Sequence, residues 1–232
     1  MDYEVMKIKA ISLFLCCILA GCATVNPMAV DKKTVAIDTR EKSVVLLAID
    51  VSRDDNSRYV PKPFVVHVEK PGSSKKTDRQ NFKLREEDKL QLENGDSVYL
   101  VRMALVPGEY RLMAVTGNAN AFPFNGIFQV PMLLDFKVSP SAISYMGQVT
   151  AKLRPRVGEE FRAGPVIPLL DQSVTGVSGG TFDVSVTDAP EKLSLFRTTY
   201  KALANSHIET ETLPAFDRAA AQRWWAGAQD AD

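Results

Sequence analysis

Short apolar runs with a period of two, punctuated by Pro, Gly and Asn, dominate the chain from residue 44 onward. Phe182-Asp-Val-Ser-Val-Thr187 alternates apolar and polar at every step, which gives a strand one dry face and one wet face. Val44-Val-Leu-Leu-Ala-Ile49 is apolar throughout, as a strand covered on both sides must be. In Phe64-Val-Val-His-Val-Glu69, Phe64, Val66 and Val68 share one side, and Val65, His67 and Glu69 the other. Ser97–Leu105 is rich in Tyr, Val and Leu. Turn chemistry fills the gaps. Asn94-Gly95 is a tight-turn pair, and Pro107-Gly108 predicts a type II turn joining Ser97–Leu105 to residues 110–115 as a hairpin. Residues 70–81 predict a solvated loop, and Ser178-Gly179-Gly180 a turn before the last strand. Many short strands with such punctuation define a mainly-β, antiparallel sandwich, here spanning residues 34–187 as one domain.

Helix signals come late. Asp188-Ala-Pro-Glu191 places Asp at a helix N-cap with Glu three residues on, and Leu193, Phe196, Tyr200 and Leu203 follow as one apolar stripe. Thr212-Leu-Pro-Ala215 opens a second helix with Phe216, Ala220 and Trp224 on one side. Residues 188–232 thus predict helices packed on the sandwich, with a frayed acidic tail at 230–232.

Sulfur is confined to the front of the chain. All three cysteines, Cys16, Cys17 and Cys22, precede residue 23, so the body holds neither a disulfide framework nor a cysteine-rich zinc site. With 28 basic against 28 acidic residues, the balance also argues against a nucleic-acid binder. Residues 10–20 form an uncharged, mostly apolar run of 11 residues, too short to span a bilayer, which takes roughly 20. Lys7 and Lys9 precede it, as in a secretory signal; a start at Met6 would leave no acid in front of the run.

Leu19-Ala20-Gly21-Cys22 closes that run and resembles the lipobox of bacterial lipoproteins at all four positions. The resemblance implies removal of residues 1–21, acylation of Cys22 by diacylglycerol and fatty acid such as palmitate, and a partner in the membrane itself. Small residues at 20 and 21 admit a peptidase, and only a thiol is nucleophilic enough to accept the lipid. Ala23 and Thr24 are not acidic; in Gram-negative lipoproteins that favours the outer membrane, facing the periplasm. Residues 22–33 predict a flexible, lipidated tether reaching roughly 35 Å at most.

A second resemblance lies in Val106-Pro-Gly-Glu-Tyr-Arg-Leu112, Phe136-Lys-Val138 and Ile143-Ser-Tyr-Met-Gly147, followed by the aromatic helix at 188–203. This order is similar to that in small bacterial lipoproteins with transthyretin-like or carboxypeptidase-regulatory-like sandwiches. It covers residues 97–205 and implies an immunoglobulin- or transthyretin-like fold, without naming a chemistry.

Motifs for chemistry are sparse. His67 and His207, the only histidines, read as surface residues, one on a strand's polar face and one between the helices. Glu86-Glu87-Asp88 and Glu159-Glu160 read as solvated charge beside Lys or Arg rather than as paired catalytic acids. Gly176 to Gly180 lacks the lysine of a phosphate loop. No metal or cofactor is expected. Phe122, Phe124 and Phe128 fall in a Pro/Gly-broken stretch that is either a loop capping the core or an exposed binding patch. Of the adjacent Trp224 and Trp225, one is expected to pack on the body, leaving Trp225 as a possible patch member. The sequence therefore predicts a membrane-anchored envelope module, non-catalytic, that binds or scaffolds another envelope protein. The alternatives are a periplasmic hydrolase with an unrecognised site, or a small-ligand or glycan binder.

Overall fold

The computed structural model describes residues 25–55, 59–93, 97–121, 124–164 and 179–229. Their strands form two sheets. The first holds β1 (Val25–Asn26), β3 (Val60–Glu69), β4 (Arg79–Lys83), β7 (Gly108–Ala121) and β8 (Phe124–Val138), in the order β1-β4-β3-β7-β8. The second holds β2 (Ser43–Arg53), β5 (Lys89–Gln91), β6 (Ser97–Leu105), β9 (Ile143–Pro155) and β10 (Gly180–Thr187), in the order β10-β9-β2-β6-β5, with β11 (Glu209–Thr210) beside β9. Two helices follow, α1 (Pro190–Thr199) and α2 (Arg218–Gln229). The mainly-β sandwich with C-terminal helices is therefore present. It departs from a purely antiparallel plan at its centre, where β2 and β9 run parallel. No helix among the described residues is long and apolar enough to cross a membrane.

Strand β2 explains the layering. Val45, Leu47, Ile49 and Val51 enter the core between the sheets, while Val44, Leu46 and Ala48 enter a second core on the other face. Val98 and Leu100 of β6, Tyr145 of β9, and Phe196, Tyr200 and Leu203 complete that second core. Strand β2 is thus dry on both faces from Val44 to Ile49. Each fully buried aliphatic side chain contributes roughly 1.5–3 kcal/mol by leaving water.

The expected hairpin at Pro107-Gly108 is instead a crossing between sheets. Strand β6 lies in the second sheet and β7 in the first. Leu105 and Tyr110, on either side of the turn, are both fully buried, so their apolar faces meet across the core rather than side by side. The Tyr110 hydroxyl donates to the Val106 carbonyl over 3.0 Å and pins the corner, as tyrosines do in other β-sandwiches. The true hairpin is β7–β8, paired from Gly108 opposite Val138 to Ala121 opposite Phe124. It takes up most of the stretch expected as a loop at 121–128.

Two more expectations are corrected. The solvated loop ends early: residues 79–83 form β4, because Phe82 is buried in the inter-sheet core while Lys83 faces out. The chain from Val25 is no free tether. Val25 and Asn26 pair with Asn81 and Phe82, and Val30 is buried in the second core.

Helix α1 starts at Pro190, with Ala189 rather than Asp188 as its N-cap; the Asp188 carboxylate accepts the Ala189 amide at 2.9 Å. It ends at Thr199, and a 3-10 turn over Lys201–Leu203 continues the apolar stripe into the second core. Helix α2 starts at Arg218, later than expected, with the Asp217 carboxylate accepting the Ala220 amide at 3.0 Å. Its core-facing residues are consequently Ala221 and Trp225, one position round from Ala220 and Trp224.

Gly147 sits at a bulge of β9 with φ +84°, and a Cβ there would run into the Thr187 carbonyl oxygen.

Candidate functional site

Strand β6 carries a single charge, Arg102, in the run SVYLVRMAL. Its side chain points with Val98 and Leu100 toward the second core and is 3% exposed. Nε donates to the Val30 carbonyl at 2.7 Å, Nη1 to the Leu100 carbonyl, and Nη2 to Asp88 Oδ1 at 2.7 Å. The Tyr200 ring lies 4.3 Å from the guanidinium carbon, a cation–π contact. Asp88 is equally buried, and its other oxygen accepts the Arg85 amide at 2.8 Å. A buried ion pair is tolerated only when its remaining donors and acceptors are satisfied, and here backbone carbonyls and an amide do this.

Arg102 also holds the N-terminal strap through its own backbone. The Ala29 amide donates to the Arg102 carbonyl at 2.8 Å, and the Arg102 amide to Met28 Sδ at 3.3 Å. Between the strap, the turn before β5 and Tyr200 lies a cleft of about 360 Å³, walled by Asp31, Lys32, Lys33, Arg85 and Glu87. Its charges are mixed. Its buried arginine and aspartate serve each other.

Asp88 was expected as solvated charge; it is instead the buried partner of Arg102. The available signal was a lone arginine in an apolar strand, although nothing in the sequence says which acid meets it. Glu86 and Glu87 do stay at the surface, beside Lys62 at 2.7 Å and Arg85 at 3.1 Å.

Glu160 lies in a second cluster. Arg154 grips both its carboxylate oxygens at 2.7 Å, and Arg218 of α2 reaches Oε1 at 2.8 Å. These hydrogen bonds from Arg154, with the Val157 amide and the Arg218 charge, push the Glu160 carboxyl down to about 2. A carboxyl so held stays ionised, which suits a clamp and not a general acid. Arg154 also donates to Asp183 at 2.8 Å, and Arg218 to the Phe182 carbonyl at 2.9 Å, so the cluster fastens α2 to β9 and β10.

His67 is half-buried on the outer face of the first sheet, 2.8 Å from Asn81 Oδ1 and 2.8 Å from Thr116 Oγ. An amide oxygen only accepts, so His67 donates from Nδ1 to Asn81. Its hydrogen-bond partners are an amide and a hydroxyl, not the carboxylate of a triad. His207 is exposed. Among the described residues, no group of three His, Cys, Asp or Glu could hold a metal ion.

The aromatic patch does not assemble as expected. Phe128 is fully buried, 5.3 Å from the Phe182 ring, and covers Gly117 on the neighbouring strand. It belongs to the core because it takes the inward phase of β8, while Ile127 beside it is 55% exposed. Phe122 lies outside the described residues, as do Cys22 and the Asn94-Gly95 turn; of Phe124 only the backbone is described, opening β8. Trp225 is half-buried against the inter-sheet core.

No protein-family model matches the chain, and it matches neither a curated protein nor a solved structure. The class defined by the structure is that of its fold, a two-sheet β-sandwich covered on one face by helix and strap.

Proposed function

We propose that the protein is a lipid-anchored module of the bacterial cell envelope, attached through Cys22 and acting by binding or scaffolding another component. One observation carries this reading beyond the lipobox itself. The body takes hold of the chain only three residues after Cys22, at β1, and grips it again at Ala29 and Val30. An anchor joined to so short a leash couples the whole sandwich to the membrane, as a scaffold requires. The titratable groups that an enzyme would use support the same reading: Glu160 and Asp88 serve as structural clamps, and His67 bonds to Asn81 and Thr116. By the same sequence argument as above, the outer membrane facing the periplasm is the proposed location.

Photo-crosslinking in living cells tests the binding role. A crosslinker placed at Asn118, on the uncovered face of the first sheet, or at Glu191 on α1 is expected to trap a discrete protein adduct. Absence of any adduct from both faces, together with hydrolysis of ester, peptide or glycoside substrates by the pure protein, would replace this reading with the hydrolase alternative.

A further inference from the structure

We infer that the β3–β4 end of the first sheet, residues 70–79, faces the membrane and binds anionic lipid headgroups. This rests on the proposed anchoring through Cys22. Three observations converge on that end.

The first is direction. Strand β1 runs parallel to β4, with Val25 opposite Asn81 and Asn26 opposite Phe82. The strand at Val25 therefore points back toward the start of β4, where Arg79 and Asp78 lie. The second is reach. Cys22 is three residues from Val25, so a lipid on it enters the bilayer within about 11 Å of that strand.

The third is charge. Residues 70–79 hold Lys70, Lys75, Lys76 and Arg79 against one acid, Asp78, in a chain that is neutral as a whole. Lys75, Lys76 and Arg79 are exposed. The segment has a defined shape: the Lys70 amide donates to the Asp78 carbonyl at 3.1 Å, the Ser73 amide to the Lys70 carbonyl at 3.2 Å, and a 3-10 turn spans Lys76–Asp78. The Asp78 carboxylate accepts the Ser73 hydroxyl at 2.6 Å and faces Lys70 at 3.7 Å. Asp78, beside Lys70, and Glu69, 3.9 Å from Arg79, offset two of the four cations, while the other charges nearby on the same sheet balance: Arg111 pairs with Asp135 at 2.6 Å, and Glu109 stands opposite Lys137. The excess is thus local to the loop at which the anchored chain arrives. Acyl chains and a basic patch together hold a protein to an anionic surface more firmly than either alone, and orient it.

The test uses the mature protein purified from membranes and returned to phosphatidylethanolamine vesicles containing phosphatidylglycerol. The only native cysteine after residue 21 is Cys22, so a fluorophore can be placed through Lys76→Cys or, at the opposite end of the sandwich, Val157→Cys. A headgroup quencher is expected to quench the label at 76 strongly and the one at 157 little. Equal quenching, or stronger quenching at 157, would overturn the orientation. The mass of the N-terminal peptide reports separately whether Cys22 is acylated. If it is not, sedimentation of the same protein with those vesicles at low salt decides the inference by itself. Binding that falls about tenfold or more on Lys75→Glu with Lys76→Glu supports the headgroup site without the anchor, and no binding refutes it.

Discussion

The Arg102 guanidinium stands 2.7 Å from the Asp88 carboxylate, with both side chains 3% exposed, so two opposite charges share one dry site beneath the strap. Removing either leaves the other buried and unmatched, at a cost of about 3–5 kcal/mol. Arg102→Leu and Asp88→Asn should each lower the urea midpoint sharply. A double variant, Arg102→Met with Asp88→Leu, should recover much of the loss, because no uncompensated charge remains. Additive losses in the double variant would show that the two side chains act independently.

The Phe128 ring lies where a Cβ on Gly117 would have to go, and the Lys62 carbonyl blocks the same space. Gly117→Ala must therefore push β3, β7 and β8 apart, and Phe128→Ala should cost about 3–5 kcal/mol by opening a cavity. Both variants should show reduced thermal stability. A Phe128→Ala protein of unchanged stability would place that ring outside the core.

Glu160 makes stability depend on acid. Its carboxyl falls from an ordinary 4.5 to about 2 on folding, held first by Arg154. Its contribution is therefore complete above pH 4.5 and is lost as the pH falls toward about 2. Glu160→Gln should be less stable than the parent at neutral pH, and the gap should narrow across that acid window. Urea midpoints measured through the window check this; a gap independent of pH would contradict it.

The strap should behave as folded structure. The Ala29 amide is hydrogen-bonded to Arg102 and should exchange slowly with deuterium, whereas the amide of exposed Lys32 should exchange fast. Exchange of Ala29 as fast as Lys32 would restore the free tether.

Residues whose role depends on local pattern were legible in the sequence. Apolar β2, alternating β10 and the stripe Leu193, Phe196, Tyr200 and Leu203 all occupy the faces their spacing implies. What could not be read was which strands pair. The Pro107-Gly108 turn fits a hairpin and a crossing between sheets equally well, and only the burial of Leu105 and Tyr110 on facing strands separates them. Side-chain partners far apart in the chain were hidden for the same reason. Asp88 and Arg102 are 14 residues apart, and Glu160 and Arg218 58 apart, so no local spacing joins them. Phe128 was misplaced in a loop because Pro123 and Gly126 suggested a break, yet the β7–β8 pairing runs on through Gly126, opposite Ala119.

The membrane anchor is tested most directly by the mass of the N-terminal peptide of the protein isolated from envelope membranes. Loss of residues 1–21 and a diacylglyceryl and fatty-acyl addition on Cys22 is the predicted result, abolished by Cys22→Ser. An N-terminal peptide that retains residues 1–21, or that begins elsewhere with an unmodified Cys22 thiol, would contradict it.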